Sequence, residues 1–285
     1  VLCVPISREA SVIGVVMLAA ARPYAFDADA QALVSRLADR AAIAIENGRL
    51  YDAVRAANRA KSEFVSLVAH ELKVPMTSIS GYAEMLPIAG EVNEQQQSFI
   101  HTIKNNVTRM TILVSDLNDI SRIESGQLKV NIEEVDVAAV LKESKDGVMQ
   151  QIQDRGHQFI EVVPANLAAV SADHSRVVQV LINLLSNAYK YTPDGGTITL
   201  NAAQDGQFVR IGVQDTGVGM TPEQVAKLGT KFWRADNEHV TTQPGTGLGM
   251  AITRNLISLM GGALEITSTP DVGSTFTIAL PVFSA

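Results

Sequence analysis

KSEFVSLVAHELKVPMTSISGYAEML, residues Lys61–Leu86, reads as an amphipathic helix. Phe64, Leu67, Val68 and Leu72 recur at three- and four-residue spacing, so they share one face. His70 lies off that stripe and is expected to face water. Glu71 follows it directly. Pro75, a little further on, is expected to kink the helix, because it removes a backbone donor and crowds the preceding turn. An exposed imidazole beside a carboxylate can act as a nucleophile near neutral pH, where it is partly unprotonated. A lone exposed histidine on a helix is ordinarily a surface residue, so the meaning of His70 depends on residues far downstream.

Outward from this stretch, a second amphipathic helix is expected from about Glu94 to Ser125. Phe99, Ile103, Met110, Leu113, Leu117 and Ile120 sit there at near-heptad spacing. Gly126 is its stop residue. Two such helices make a hairpin with an apolar stripe left on each, and pairing two chains would bury both in a four-helix bundle. A homodimer is the packing expectation, and an intramolecular partner for the stripes the alternative.

Upstream, no proline occurs between Tyr24 and Pro75, so one long helix is expected from about Ala30, capped by Asp27 or Asp29. Leu37, Ala41, Ala44 and Tyr51 mark one seam, and Leu50, Val54, Ala57, Phe64 and Val68 another. The two registers do not match, which reads as a skip in a coiled coil. Val1–Ile6 and Ser11–Ala21 read as two strands, ended by Arg22-Pro23-Tyr24. Two strands bury no core alone.

From Gln127 the pattern changes. Strands are expected at Gln127–Ile132, Gln158–Val163, Thr197–Ala202, Val209–Gln214, Ala263–Ser268 and Thr275–Leu280. Helices are expected at Val137–Gln153, Ser175–Lys190, Pro222–Leu228 and Gly249–Met260. The class is α+β, a mixed sheet with helices. Short motifs fall at its loops and helix ends. Asn183 and Asn187 share a helical face, with Lys190 and Tyr191 one turn on. Their amide oxygens could hold a hard cation such as Mg²⁺, and the lysine could meet phosphate. Asp215-Thr-Gly217-Val-Gly219 follows a strand; the acid could accept from an exocyclic amine while the glycines permit close backbone approach. Gly245-Thr246-Gly247-Leu248-Gly249 opens a helix whose N-terminal amides could cradle phosphates. Gly273-Ser-Thr275 precedes the last strand. Each is weak alone; four in this order are strong together.

In that order, with Phe232-Trp233-Arg234 between the second and third, the motifs resemble the N, first glycine, F, second glycine and third glycine boxes of sensor histidine kinases. Lys61–Leu86 resembles their phosphoacceptor box. The resemblance implies a dimerisation and phosphotransfer domain over 59–126 and a Bergerat-type catalytic ATP-binding domain over 127–285. It implies that His70 is the phosphorylated residue and Glu71 the acid that orients and deprotonates it. Asn187 would ligate Mg²⁺, with Asn183 and Lys190 near the phosphates of ATP. Asp215 would read the adenine amine, with Thr275 nearby and Tyr191 by the base. Residues 220–244 would be the lid, with Arg234 on the γ-phosphate. The first 58 residues resemble the C-terminal part of a GAF sensor domain with its signalling helix. Two departures from the pattern matter. Lys73-Val74 replaces the usual Arg-Thr, which implies weak phosphatase activity toward the regulator. Gly229 replaces the first aromatic of the F box, which implies looser docking of the lid.

Composition limits the alternatives. The chain has 285 residues, 46% hydrophobic and 19% charged, ordinary for globular units. A net charge of −7 argues against nucleic acid or membrane surface as a partner. One cysteine, Cys3, permits no internal disulfide and fits a reducing compartment. No run is long and apolar enough to span a bilayer, and the expected location is cytoplasmic. The chain opens on Val1 and is expected to be a piece of a longer protein, so attachment through further sequence stays open. The expected partner is the receiver domain of a response regulator. A clamp-type or chaperone-type ATPase and a non-catalytic dimeric scaffold are the alternative readings.

Overall fold

The computed structural model describes residues 1–8, 11–23, 25–236, 240, 243 and 245–284. Tyr24, His239, Pro244 and part of the expected lid lie outside the described residues. The chain divides into two compact units, Val1–Phe64 and Val65–Ala285. Among the described residues no helix is long and apolar enough to cross a membrane.

In the first unit, β1 (Leu2–Arg8) and β2 (Ser11–Leu18) form an antiparallel hairpin. Leu2, Val4, Ile6 and Val16 share one face by strand alternation and pack on Val34 and Ala38 of α1 (Ala28–Ala89). The cap of α1 is Asp27, whose Oδ1 accepts from Ala30 N at 2.8 Å. The face of α1 buried in this unit is therefore Val34, Ala38 and Ala42. Of the seam expected at Leu37, Ala41, Ala44 and Tyr51, Ala41 is half-buried and the others are exposed in the single chain.

The second unit begins with a helical hairpin. The helix α1 runs through Pro75 and Pro87 without ending, so the prolines cost hydrogen bonds but not the helix. The second helix, α2 (Glu94–Glu124), starts in a capping box between Asn93 and Gln96 and stops at Gly126, whose φ is +66°. Gly126 N donates to Ile123 O and Gln127 N to Arg122 O, at 3.0 and 2.9 Å, closing a Schellman motif. The residues buried in the hairpin are Ala69, Met76 and Ala83 on α1 and Ile100 and Val107 on α2. The expected stripe is left solvent-exposed in the single chain, at Phe64 (66%), Leu67 (60%), Phe99 (57%) and Leu113 (46%). Ile120 departs from it. It is 5% exposed and joins the core of the following α/β layer.

That layer holds a five-stranded sheet in the order β4-β6-β7-β9-β8. Its strands are β4 (Gln158–Val162), β6 (Thr197–Asp205), β7 (Phe208–Asp215), β8 (Ala263–Thr269) and β9 (Gly273–Pro281). The β4–β6 pairing is parallel and the others antiparallel. The buried face is Ile198, Leu200 and Ala202, Val209, Ile211 and Val213, and Phe276, Ile278 and Leu280. On it lie α3 (Val137–Asp146), α5 (His174–Tyr191) and α7 (Gly249–Leu259), the last two through Leu181, Leu184, Leu185, Ile252 and Leu256.

Two expectations are corrected. Residues 127–132 form no strand; the strand is β3 (Glu133–Val135), paired with β5 (Val170–Ala172), which the sequence pattern did not mark. The helix expected over 137–153 breaks at Gly147 into α3 and α4 (Met149–Asp154), at the residue least willing to stay helical. The short α6 (Pro222–Lys227) lies as expected, with a capping box between Thr221 and Gln224.

Candidate functional site

The register of the sheet builds the site. On β7, Val209, Ile211 and Val213 alternate onto the buried face, and Asp215 is the next residue of that row. Its neighbours across the strands are Ile198 and Ser274. The carboxylate thus ends an apolar row and is 6% exposed. Burial pushes its pKa up to about 6, although the backbone N–H groups of Gly217 and Ser274 donate to Oδ1 at 2.8 and 3.2 Å. Close backbone approach explains the glycines. A Cβ on Gly219 (φ +60°) would meet Thr269 O at 1.9 Å, and one on Gly273 would meet Asp215 O at 1.9 Å.

A cavity of about 1080 Å³ opens beside Asp215. From α5 it is lined by Asn183, Asn187, Lys190 and Tyr191. From the loop before α7 it takes Gly245, Thr246 and Gly247, from the start of α7 Gly249, from the turn after β7 Gly219, and from the lid segment Trp233 and Arg234. Asn183 Nδ2 donates to Thr253 Oγ1 at 2.9 Å, which locks α5 to α7. Gly249 lies against Asn183, where an added Cβ would come within 2.5 Å of Oδ1. Asn187 points its Nδ2 at Met250 Sδ, 3.7 Å away. Lys190 has its pKa pushed down, first by burial, then by the charge of Arg155. The loop is shaped by Thr246, whose Oγ1 accepts from Leu248 N at 3.1 Å, and by Gly247 O, which accepts from Phe232 N at 3.1 Å. Arg234 donates to the carbonyls of Val240, Gln243 (2.7 Å) and Gly245 (3.4 Å), so its guanidinium holds the lid segment's own backbone. Gly229 adopts φ +87°, a left-handed conformation that an aromatic side chain would strain.

Several expected residues stand apart from this cavity. Gly217 and Leu248 shape its walls from behind; Leu248 is 1% exposed, in the core. Thr275, on β9, pairs with Gln214 of β7, while its neighbour Ser274 lines the cavity. His70 and Glu71 are exposed on α1 and do not line it. The hydroxyl of Thr77 is tied to Lys73 O at 2.9 Å, and Val74 is exposed.

The helix α2 supplies lining residues that no motif signalled, among them Arg109, Ser115 and Asp116. Asp116 Oδ2 accepts from Thr246 Oγ1 at 2.9 Å. Its pKa is raised, first by burial, against the lowering effect of that hydroxyl. Nearby, Asp119 accepts from Gln179 at 3.0 Å and pairs with Arg176 at 3.5 Å, and Lys231 pairs with Glu124. The cavity is thus closed on one side by the phosphoacceptor-like hairpin.

Comparisons with known proteins bear on the same segments. Residues 172–284 match the family model for histidine kinase-, DNA gyrase B- and HSP90-like ATPases. Residues 60–126 match the His Kinase A (phospho-acceptor) domain, and residues 1–46 a GAF domain. The chain is 34% identical over 233 residues to the Non-motile and phage-resistance protein of Caulobacter vibrioides, covering 79% of this chain and 28% of that one. It is 34% identical over 236 residues to Sensor histidine kinase RcsC of Escherichia coli, covering 82% of this chain and 24% of that one. The crystal structure of full-length ShkA in complex with AMPPNP superposes with a TM-score of 0.66 at 27% identity, covering 78% of this chain and 46% of that one. The chain therefore spans less than half the length of each of these relatives.

Proposed function

Since the chain belongs to the sensor histidine kinases, we propose that it uses ATP to phosphorylate itself on His70 and passes the phosphoryl group to an aspartate of a response regulator. The observation that carries this reading is the single cavity in which the motif residues of α5, the β7 end and the glycine-rich loop meet. Asp215 accepts the exocyclic amine of adenine, with Tyr191 by the base and Thr275 behind it. Lys190, and Arg234 once released from the lid carbonyls, meet the phosphates. Phosphoryl transfer is mostly positioning and charge neutralisation, which these groups supply.

Among the described residues no cluster of three His, Cys, Asp or Glu could hold a metal. Mg²⁺ in such a site takes most of its ligands from phosphates and water, and Asn187 offers it one amide oxygen, because only its Nδ2 is engaged among the described residues. Bound there, the ion would neutralise charge on the phosphates. The ring nitrogen of His70 attacks the γ-phosphorus, the bond to the bridging oxygen breaks, ADP leaves, and Glu71 takes the ring proton. His70 does not line the cavity, so transfer needs the histidine and the nucleotide site brought together, within one chain or across a dimer.

We assign 1–58 to the sensor segment and signalling helix, 59–126 to dimerisation and phosphotransfer, and 127–285 to catalysis. The exposed stripe on α1 and α2 suits a homodimer. Val74 has no donor or acceptor to orient water beside the phosphoryl group, which favours weak phosphatase activity. A clamp-type ATPase would form no phosphohistidine, and this separates the two readings. His70→Gln is expected to abolish acid-labile label from γ-labelled ATP and to leave ATP binding intact. Label persisting in that variant would move the acceptor to His101, His157, His174 or His239.

A further inference from the structure

Arg155 belongs to none of the motifs. It follows α4 and is half-buried. Its guanidinium makes hydrogen bonds to two separate elements. Nη1 donates to the carbonyls of Tyr189 and Lys190 at 3.0 and 3.3 Å. These lie in the last turn of α5, where no helical N–H follows to satisfy them. Nη2 donates to Oε1 of Gln243 at 2.7 Å, in the lid segment just before the glycine-rich loop. His157 Nε2 lies 3.1 Å from Tyr189 O as a second donor, so both lone pairs of that carbonyl are used. A capping cation would need the two carbonyls alone; the third bond, to the lid, goes beyond that role.

We propose that Arg155 is a positioning residue for nucleotide binding, tying the lid through Gln243 to the end of α5 that carries Lys190. The inference rests on the nucleotide reading above. Only a planar fork of donors can serve two carbonyls and a side-chain amide at once. Gln243 is a neutral acceptor, so the tie is a hydrogen bond and not an ion pair. The backbone oxygen of Gln243 in turn accepts from Arg234 Nη2 at 2.7 Å, so the tie joins the lid's cation to the helix end that carries Lys190, the two groups assigned to the phosphates. The tie therefore matters for the phosphates and not for the base.

The test measures dissociation constants of MgATP and of adenosine for the full chain. The variants are Arg155→Lys, Gln243→Leu and the double variant, with thermal melting of each. Each single change is expected to weaken MgATP about 3- to 10-fold, the size of one ordinary hydrogen bond, and to leave adenosine unchanged. The double variant should be no weaker than the weaker single, because both remove one link. Gln243→Leu should not change the melting temperature. Additive losses, or equal losses for MgATP and adenosine, would reduce Arg155 to a helix cap and overturn the proposal. If Arg155→Lys fails to fold, Gln243→Leu alone decides, and an unchanged ratio of the two constants overturns it. Wild-type chain that binds neither ligand would overturn the nucleotide reading itself, a distinct result.

Discussion

Asp215 is a single side chain held against its own preference. An aspartate with a pKa of about 6 is protonated in the folded chain at pH values where the unfolded chain, near 3.8, has lost its proton. Its contribution therefore favours folding fully below pH 3.8, and that advantage disappears as pH rises through about 6. Asp215→Asn keeps the acceptor oxygen for Gly217 and Ser274 and removes the charge. At pH 8 it should stabilise the ligand-free chain by up to about 3 kcal/mol while weakening ATP binding about tenfold or more. Urea unfolding and calorimetric titration on one preparation check both halves; a variant that binds ATP as the wild type does would displace the base contact from this residue. The motif Asp-x-Gly-x-Gly made Asp215 legible from the sequence. Its burial was not, because that follows from the pairing of β7 with Ile198 and Ser274, distant in the chain. Arg155 was silent for the same reason, since its partners lie 34 and 88 residues away.

At the scale of elements, α2 shows where periodicity stops being informative. Heptad spacing correctly placed an apolar stripe, but it could not say what would cover each turn. Phe99 and Leu113 are left to solvent, while Ile120, in the same stripe, is taken into the α/β core. Ile100 and Val107, which pack inside the hairpin, were passed over because the stripe beside them was stronger. The strands β3 and β5, of three residues each, are too short to show a period. The same helix presents Asp116 to the glycine-rich loop, placing a carboxylate in the cavity assigned to phosphates. Asp116→Asn keeps the bond geometry and removes the charge. It is expected to tighten MgATP binding about 3- to 10-fold, because like charges repel strongly where water is scarce. Asp116→Ala also frees the loop and should raise the initial rate of autophosphorylation as well. Unchanged affinity in both variants would show that α2 leaves the cavity before nucleotide enters.

Over the whole molecule, three sequence segments correspond to three family models, yet the packing does not follow their borders. Ile120 and Ile123 belong by sequence to the phosphoacceptor helix and by contact to the core that also holds Leu128, Val135 and Leu181. A cut after Gly126, where the hydrophobic pattern changes, therefore passes through a hydrophobic core. A fragment covering 127–285 should unfold at lower urea than one covering 116–285, by about 2–4 kcal/mol for the two isoleucines. Coincident midpoints would show the contact to be energetically idle. The consequence extends to amide exchange. The lower end of α2 should exchange with the slow kinetics of the ATP-binding sheet, while its upper turns follow the faster opening of the hairpin, so that one continuous helix divides between two cooperative units.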